Sequence, residues 1–319
     1  MTARYGWTAK AVCSLALLGI LAWSVDLRQL PERLGTLAPG WIAVAGLAVL
    51  AAIGVSVMKW GLILARRGHA LPMHRLARLY LVGLFFNNLM PGTVGGDAVR
   101  AWATTRETGE VPEAVASVVT ERLVAGAGLG LTAALGLMFL PEPGRFVVSV
   151  AIFLTINFAL IGLLLIPGLT DGAVRTLLPK DWRSSTTRTL AAVQGGLRDP
   201  RITVPVLALS ILFQSLVAAV NAALFAGLGV PVDLGACLIL TPMIFALTML
   251  PFSLSGFGLR EAAYAYFFAF VGVSAADAVA VSLAFFGIVA LASLPGAPLF
   301  FLSGTRRALQ RQGISEAQP

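Results

Sequence analysis

Charge is what this sequence has least of. Charged residues make up 12% of its 319 positions, against 58% that are hydrophobic, and the mean hydropathy is +0.87. A soluble domain carries about 25% charged residues, so a water-soluble fold is excluded. A disordered chain needs the opposite balance and is excluded as well. Cysteine is scarce: Cys13 and Cys237 lie inside apolar runs, which leaves no disulfide framework and no cysteine metal cluster. His69 and His74 share one basic loop without a carboxylate or cysteine pattern, so they read as loop residues rather than metal ligands. Motifs for chemistry are lacking too. Walker A, H-E-x-x-H, G-x-S-x-G and G-x-G-x-x-G patterns are all missing, and the Gly92–Gly96 stretch has no lysine for a phosphate loop. The expectation is a non-enzyme with no catalytic residue, no metal and no cofactor.

Long apolar runs are what the sequence has in abundance. A helix crosses a bilayer with roughly 20 apolar residues. Full spans are expected at about 8–25, 41–65, 117–140, 146–166, 203–228 and 279–303. Residues 8–25 follow Arg4 and Lys10 without an A-x-A cleavage pattern, so they read as a retained span rather than a signal peptide. Two other apolar pieces are short and broken. Residues 76–90 run into Asn87, Asn88 and Pro91-Gly92, while residues 236–250 end at Pro251 and resume at about 261–272. Short, Pro/Gly-interrupted segments at matching places in two halves mark the broken helices of transporters.

The net charge of +8 sits in loops, where it sets topology; nucleic acid is not an expected partner. Basic residues concentrate in the N-terminus, in 66–78, in 167–202 and in the tail at Arg306, Arg307 and Arg311. An even number of crossings must separate loops that share a side. Segment 76–90 is therefore expected to be re-entrant, and 236–272 to be a second re-entrant hairpin. The fold class is an all-α polytopic membrane protein of about six transmembrane helices plus two re-entrant helical hairpins. Both termini are expected on the cytoplasmic side of the cell membrane.

The broken regions resemble each other. Residues 84–101 and 244–261 align without gaps, sharing Phe85/Phe245, Pro91/Pro251, Gly96/Gly256 and Arg100/Arg260. Each half reads span, span, hairpin, span, and Glu113-Ala-Val-Ala is echoed by Asp277-Ala-Val-Ala. The halves are expected to be inverted-topology repeats. Each hairpin tip runs proline, small hydroxyl, glycine, then a new helix. Thr93, Gly95 and Gly96 lead into Asp97 and Arg100; Ser253, Gly256 and Gly258 lead into Arg260 and Glu261. Helices starting near Asp97 and before Arg260 would place each arginine in a first turn. Helix N-termini attract anions, and an arginine fork suits phosphate. Two readings of this set stay open. Arg100 and Arg260 hold an anionic headgroup, or Asp97, Arg100, Glu121, Arg122, Arg260 and Glu261 neutralise one another as structural glue. Lys59-Trp60 reads as an interfacial anchor, Asn157, Gln214 and Asn221 as interhelical hydrogen bonders, and Glu107, Glu110 and Glu113 as a solvated face.

Residues 85–100 (FFNNLMPGTVGGDAVR), 117–122 (SVVTER) and 256–261 (GFGLRE) resemble the lysylphosphatidylglycerol synthase membrane domain, a flippase-like family. The resemblance covers about residues 8–305. It implies a membrane domain over 1–305, with repeat one at about 8–140, repeat two at about 146–303, a cytoplasmic loop at about 167–202 and a short tail at 306–319. The sequence ends at Pro319, so the expectation is a stand-alone member without the soluble synthase domain. The implied activity is translocation of a lipid with a phosphate-bearing headgroup, an anionic phospholipid or a polyprenyl-phosphate-linked lipid. The rival expectations are a non-transporting scaffold for a separate glycosyltransferase or lipid-modifying enzyme, and a membrane-embedded transferase on a polyprenyl phosphate. Expected headgroup contacts are Arg100, Arg260, Thr93, Gly95, Gly96, Ser253, Gly256 and Gly258. Asp97, Glu121, Arg122 and Glu261 are their charge partners, and Asn87, Asn88, Pro91 and Pro251 shape the hairpins.

Overall fold

A computed structural model describes residues 30–89, 94–140, 142–166, 168–177, 179–249 and 258–301. The expected first span, the tip residues Pro91, Thr93, Pro251, Ser253 and Gly256, and the basic tail lie outside the described residues. The described chain is helical: α1 (Leu30–Gly35), α2 (Pro39–Arg66), α3 (Met73–Leu89), α4 (Val94–Thr108), α5 (Val111–Leu137), α6 (Gly144–Leu165), α7 (Leu169–Leu177), α8 (Lys180–Arg198), α9 (Pro200–Gly227), α10 (Leu234–Thr248), α11 (Leu259–Ala269) and α12 (Ala275–Ser293).

Five helices are long and apolar enough to cross a membrane: α2, α5, α6, α9 and the stretch Ala275–Phe301 that contains α12. They correspond to five of the expected spans. Prolines set where three of them start. Pro39, Pro112 and Pro200 occupy the first turn of α2, α5 and α9, where a missing N–H costs no hydrogen bond. For α5 this moves the start from the expected 117 back to Val111. Asp199 caps α9 by accepting from the Arg201 amide at 2.9 Å. Helix α6 turns Val148, Ile152, Ile156, Leu160 and Leu163 outward. An exposed apolar surface of that size belongs in lipid.

Residues 167–202 are more ordered than a loop. They fold into α7 and α8, with Val174, Val193, Gly196 and Leu197 buried against the bundle. Their polar composition hid an amphipathic pattern.

The core lies where α2, α9, α10, α11 and α12 meet, around Leu224, Phe225, Ile239, Leu240, Tyr264 and Phe268. Helices α2 and α9 lie against each other along much of their length. Around them the contacts come in pairs: α3 with α4 and α10 with α11, α4 with α5 and α11 with α12, α2 with α3 and α9 with α10, α5 with α10 and α12 with α3.

Both ends of the bundle are fixed by polar contacts. At one end Arg67 Nη1 meets Glu113 Oε2 at 2.6 Å, Arg78 reaches the Leu299 carbonyl, and Arg198 reaches the Leu165 carbonyl. At the other end the Ala38 amide donates to the Gly227 carbonyl at 3.1 Å, Arg145 reaches the Phe270 carbonyl, and Arg33 meets Asp277 at 3.4 Å. The Arg67–Glu113 pair joins the end of α2 to the start of α5, so the chain between them, α3 and α4, leaves and returns at the same end. It also gives Glu113, read as part of a solvated face, a partner within the protein, while its side chain stays 27% exposed.

Candidate functional site

Helix α4 brings Asp97 and Arg100 to α5. It begins at Val94, earlier than the expected start near Asp97. Arg100 therefore lies nearly two turns inside the helix rather than in its first turn. The reason is local. Asn87 on α3 accepts from the Gly96 amide at 2.9 Å and satisfies a donor that the helix start would otherwise leave open. Gly96 also permits the closest approach of α3 and α4. A β-carbon built there would overlap the Gly83 carbonyl oxygen and the Asn87 side chain. Asn88 donates to Ser293 Oγ at 2.9 Å and ties α3 to α12.

A chain of charges runs inward from this point. Arg122 on α5 grips Asp97 through Nε at 2.7 Å and Nη2 at 2.9 Å. Asp97 is 3.8 Å from Arg100 Nη2. Arg100 Nη2 is 2.5 Å from Glu121 Oε2, and Glu121 Oε1 is 3.4 Å from Lys59 Nζ. Arg100, Glu121 and Lys59 are all buried. The Arg100 guanidinium stacks 4.7 Å from the centre of the Trp60 ring and 5.4 Å from that of Tyr80. Trp60, fully buried, donates to Ser117 Oγ at 3.2 Å.

The structure thus brings Asp97, Arg100, Glu121 and Arg122 together, as expected, and adds Lys59. That lysine is not an interfacial anchor. It sits about 10 Å inside α2 at about 1.5 Å per residue, under Phe213 of α9. The earlier set of acids and bases balanced. This cluster does not: among the described residues, Lys59, Arg100 and Arg122 face only Asp97 and Glu121. Asp97 and Arg122 both lie about 16 Å along their helices from the basic end, at about 1.5 Å per residue. The Arg122 side chain is 42% exposed.

Arg260 and Glu261 form a second cluster at the start of α11. Arg260 meets Glu261 Oε1 through Nη2 at 2.6 Å and Nε at 3.0 Å. Ser282 Oγ accepts from Arg260 Nε and donates to Glu261 Oε1, both at 3.2 Å. The other carboxylate oxygen of Glu261 accepts from the Gly258 amide at 2.8 Å. Gly258 has φ +79°, which only glycine adopts without strain. One amide at each of these helix starts, that of Gly96 and that of Gly258, is thus bonded within the protein. Next to this cluster Tyr264 donates to Asn221 Oδ1 at 2.8 Å.

Sequence reasoning missed Lys59, Trp60, Tyr80, Ser117, Ser282 and Tyr264. Lys59 had a usable signal: it is the one ionisable group within an apolar run that ends at Arg66, and an intramembrane charge calls for a partner. An open cleft of about 800 Å³ lies at the basic end, where Glu110, Glu113, Ser185 and Arg188 line it, away from the charge chain. Among the described residues, no group of three His, Cys, Asp or Glu side chains is placed to hold a metal ion.

No curated protein matches the chain at a significant level. A family profile does: the Lysylphosphatidylglycerol synthase TM region matches residues 7–296. With that match over most of its length, and with the helical membrane architecture described above, the chain belongs to the Lysylphosphatidylglycerol synthase TM region family.

Proposed function

We propose that this protein moves a lipid with a phosphate-bearing headgroup across the bilayer, and that the headgroup is held by Arg122, Arg100 and Lys59. One observation carries the reading: among the described residues, the cluster on α2, α4 and α5 has one cation more than its carboxylates balance, and its outermost arginine is exposed. A phosphate oxygen supplies the missing negative charge and replaces water on Arg122. Acyl or polyprenyl tails stay in the bilayer, so no large closed cavity is required.

The architecture supports the same reading. Paired contacts around the α2–α9 seam fit two inverted repeats, a plan that places sites at the membrane midplane. The Arg67–Glu113 junction fits a re-entrant α3–α4 hairpin, and the α10–α11 pair is its counterpart. The basic end is the cytoplasmic one by the positive-inside rule. The second cluster is tied up by Glu261 and Ser282, so Arg260 acts as a brace for its hairpin until the repeats rock.

The test is transfer of fluorescent phosphatidylglycerol across liposomes that contain the full chain, scored by quenching from one side. Arg122→Gln keeps a polar partner for Asp97 and removes the exposed charge. It is expected to slow transfer about tenfold, in line with the loss of one charge-assisted contact. Wild-type transfer no faster than in empty liposomes, or an unchanged rate in a folded Arg122→Gln protein, overturns the proposal. Lipid that co-purifies with a non-transporting wild type would instead support the scaffold reading.

A further inference from the structure

The exposed surface of α4 and α5 mixes arginine with apolar side chains. On α4, Ala98, Trp102 and Arg106 are exposed, spaced by one turn along a single face. On α5, Val119 and Arg122 are exposed beside them. Arg106 stacks on the Trp102 ring with its guanidinium carbon 3.9 Å from the ring centre. The stripe begins at the basic end and runs about 16 Å along the helices to the Asp97–Arg122 pair. Arg122 spends Nε and Nη2 on Asp97, which leaves its Nη1 amino group for an incoming oxygen. Helix α6, in contrast, has no charged residue after Arg145, and Ile156 lies on its exposed apolar surface.

We propose that this α4–α5 face is a hydrated lateral furrow, and that an anionic phospholipid headgroup travels along it between Arg106 and Arg122. The occupant follows from charge and continuity. Both ends of the furrow are arginines, a single aromatic platform joins them, and the inner end is the charge chain itself. Trp102 shields the path from acyl chains and offers its face to the cation beneath. Ionised side chains at the inner end keep water in the furrow, because irregular or charged surface at membrane depth is tolerated only against protein or water. The proposal rests on the reading of the charge cluster as a headgroup site, but its test does not depend on transport.

The experiment places a cysteine at Ala98 in the full chain with Cys13 replaced by alanine; Cys237 is buried. A membrane-impermeant maleimide is applied to protein in nanodiscs of phosphatidylcholine alone and of phosphatidylcholine with phosphatidylglycerol. Ala98→Cys is expected to react in the neutral bilayer, whereas Ile156→Cys does not. Phosphatidylglycerol is expected to slow the reaction at 98 about fivefold, the equivalent of about 1 kcal/mol for a basic residue at a lipid surface. Arg106→Gln is expected to remove that protection. A residue 98 as unreactive as 156 overturns the furrow, and equal rates in both bilayers overturn its anionic occupant. Protection at 98 in a wild type that fails to move lipid leaves the furrow standing and refutes the translocase.

Discussion

Lys59 and Glu121 face each other at 3.4 Å inside the bundle, each almost fully buried, while Glu121 also receives Arg100 at 2.5 Å. One carboxylate thus serves two cations from two helices. The pair joins the last third of α2 to α5 and sets the sign of the cluster.

Removing that carboxylate should cost more than removing either cation. Glu121→Gln leaves two buried cations facing one amide, a penalty of about 3–5 kcal/mol. Adding Lys59→Met removes one of them and should recover part of the loss. Thermal unfolding of the detergent-purified variants checks both, and a double variant no more stable than Glu121→Gln would show that the two side chains are not coupled.

The close approach of α3 and α4 at Gly96 gives a second expectation. Gly96→Ala forces a β-carbon onto the Gly83 carbonyl and the Asn87 side chain, and overpacking of this kind costs about 1–3 kcal/mol. Gly54→Ala on α2 meets nothing within 4 Å and should gain about 0.5–1 kcal/mol from helix propensity. Opposite shifts in melting temperature are the expected pattern. A neutral Gly96→Ala would mean that the helices separate without cost.

Glu261 has two duties, on Arg260 and on the Gly258 amide. Glu261→Gln should therefore destabilise by about 3–5 kcal/mol, and Arg260→Met in the same chain should restore part of it. The remaining deficit measures the cap. Hydrogen exchange at the start of α11 separates the two duties: it stays fast in the double variant if the cap is lost.

Much of this architecture was legible in composition and periodicity. Apolar length marks α2, α5, α6, α9 and α12 because lipid imposes length directly. Charge counting had α3 and α4 return to the end they leave from, and the Arg67–Glu113 contact fits that expectation. Partners within the site were not legible. A lysine near the end of a span that snorkels and one that pairs inward have the same sequence signature, so Lys59 was misplaced. The ion pair of Glu113 was hidden as well: its partner Arg67 is far away in the chain. The depth of Arg100 depended on Asn87 reaching across a turn to cap α4, a contact that no local propensity encodes.

The glycine contact between α3 and α4 also constrains motion. Their backbones touch at Gly83 and Gly96, and α3 is pressed in turn on Gly296 near the end of the last span. Parting α3 from α4, or α3 from the last span, means breaking a backbone contact that no flexible side chain cushions. Asp97 and Arg100, one turn apart on α4, keep their spacing in any movement that leaves that helix whole.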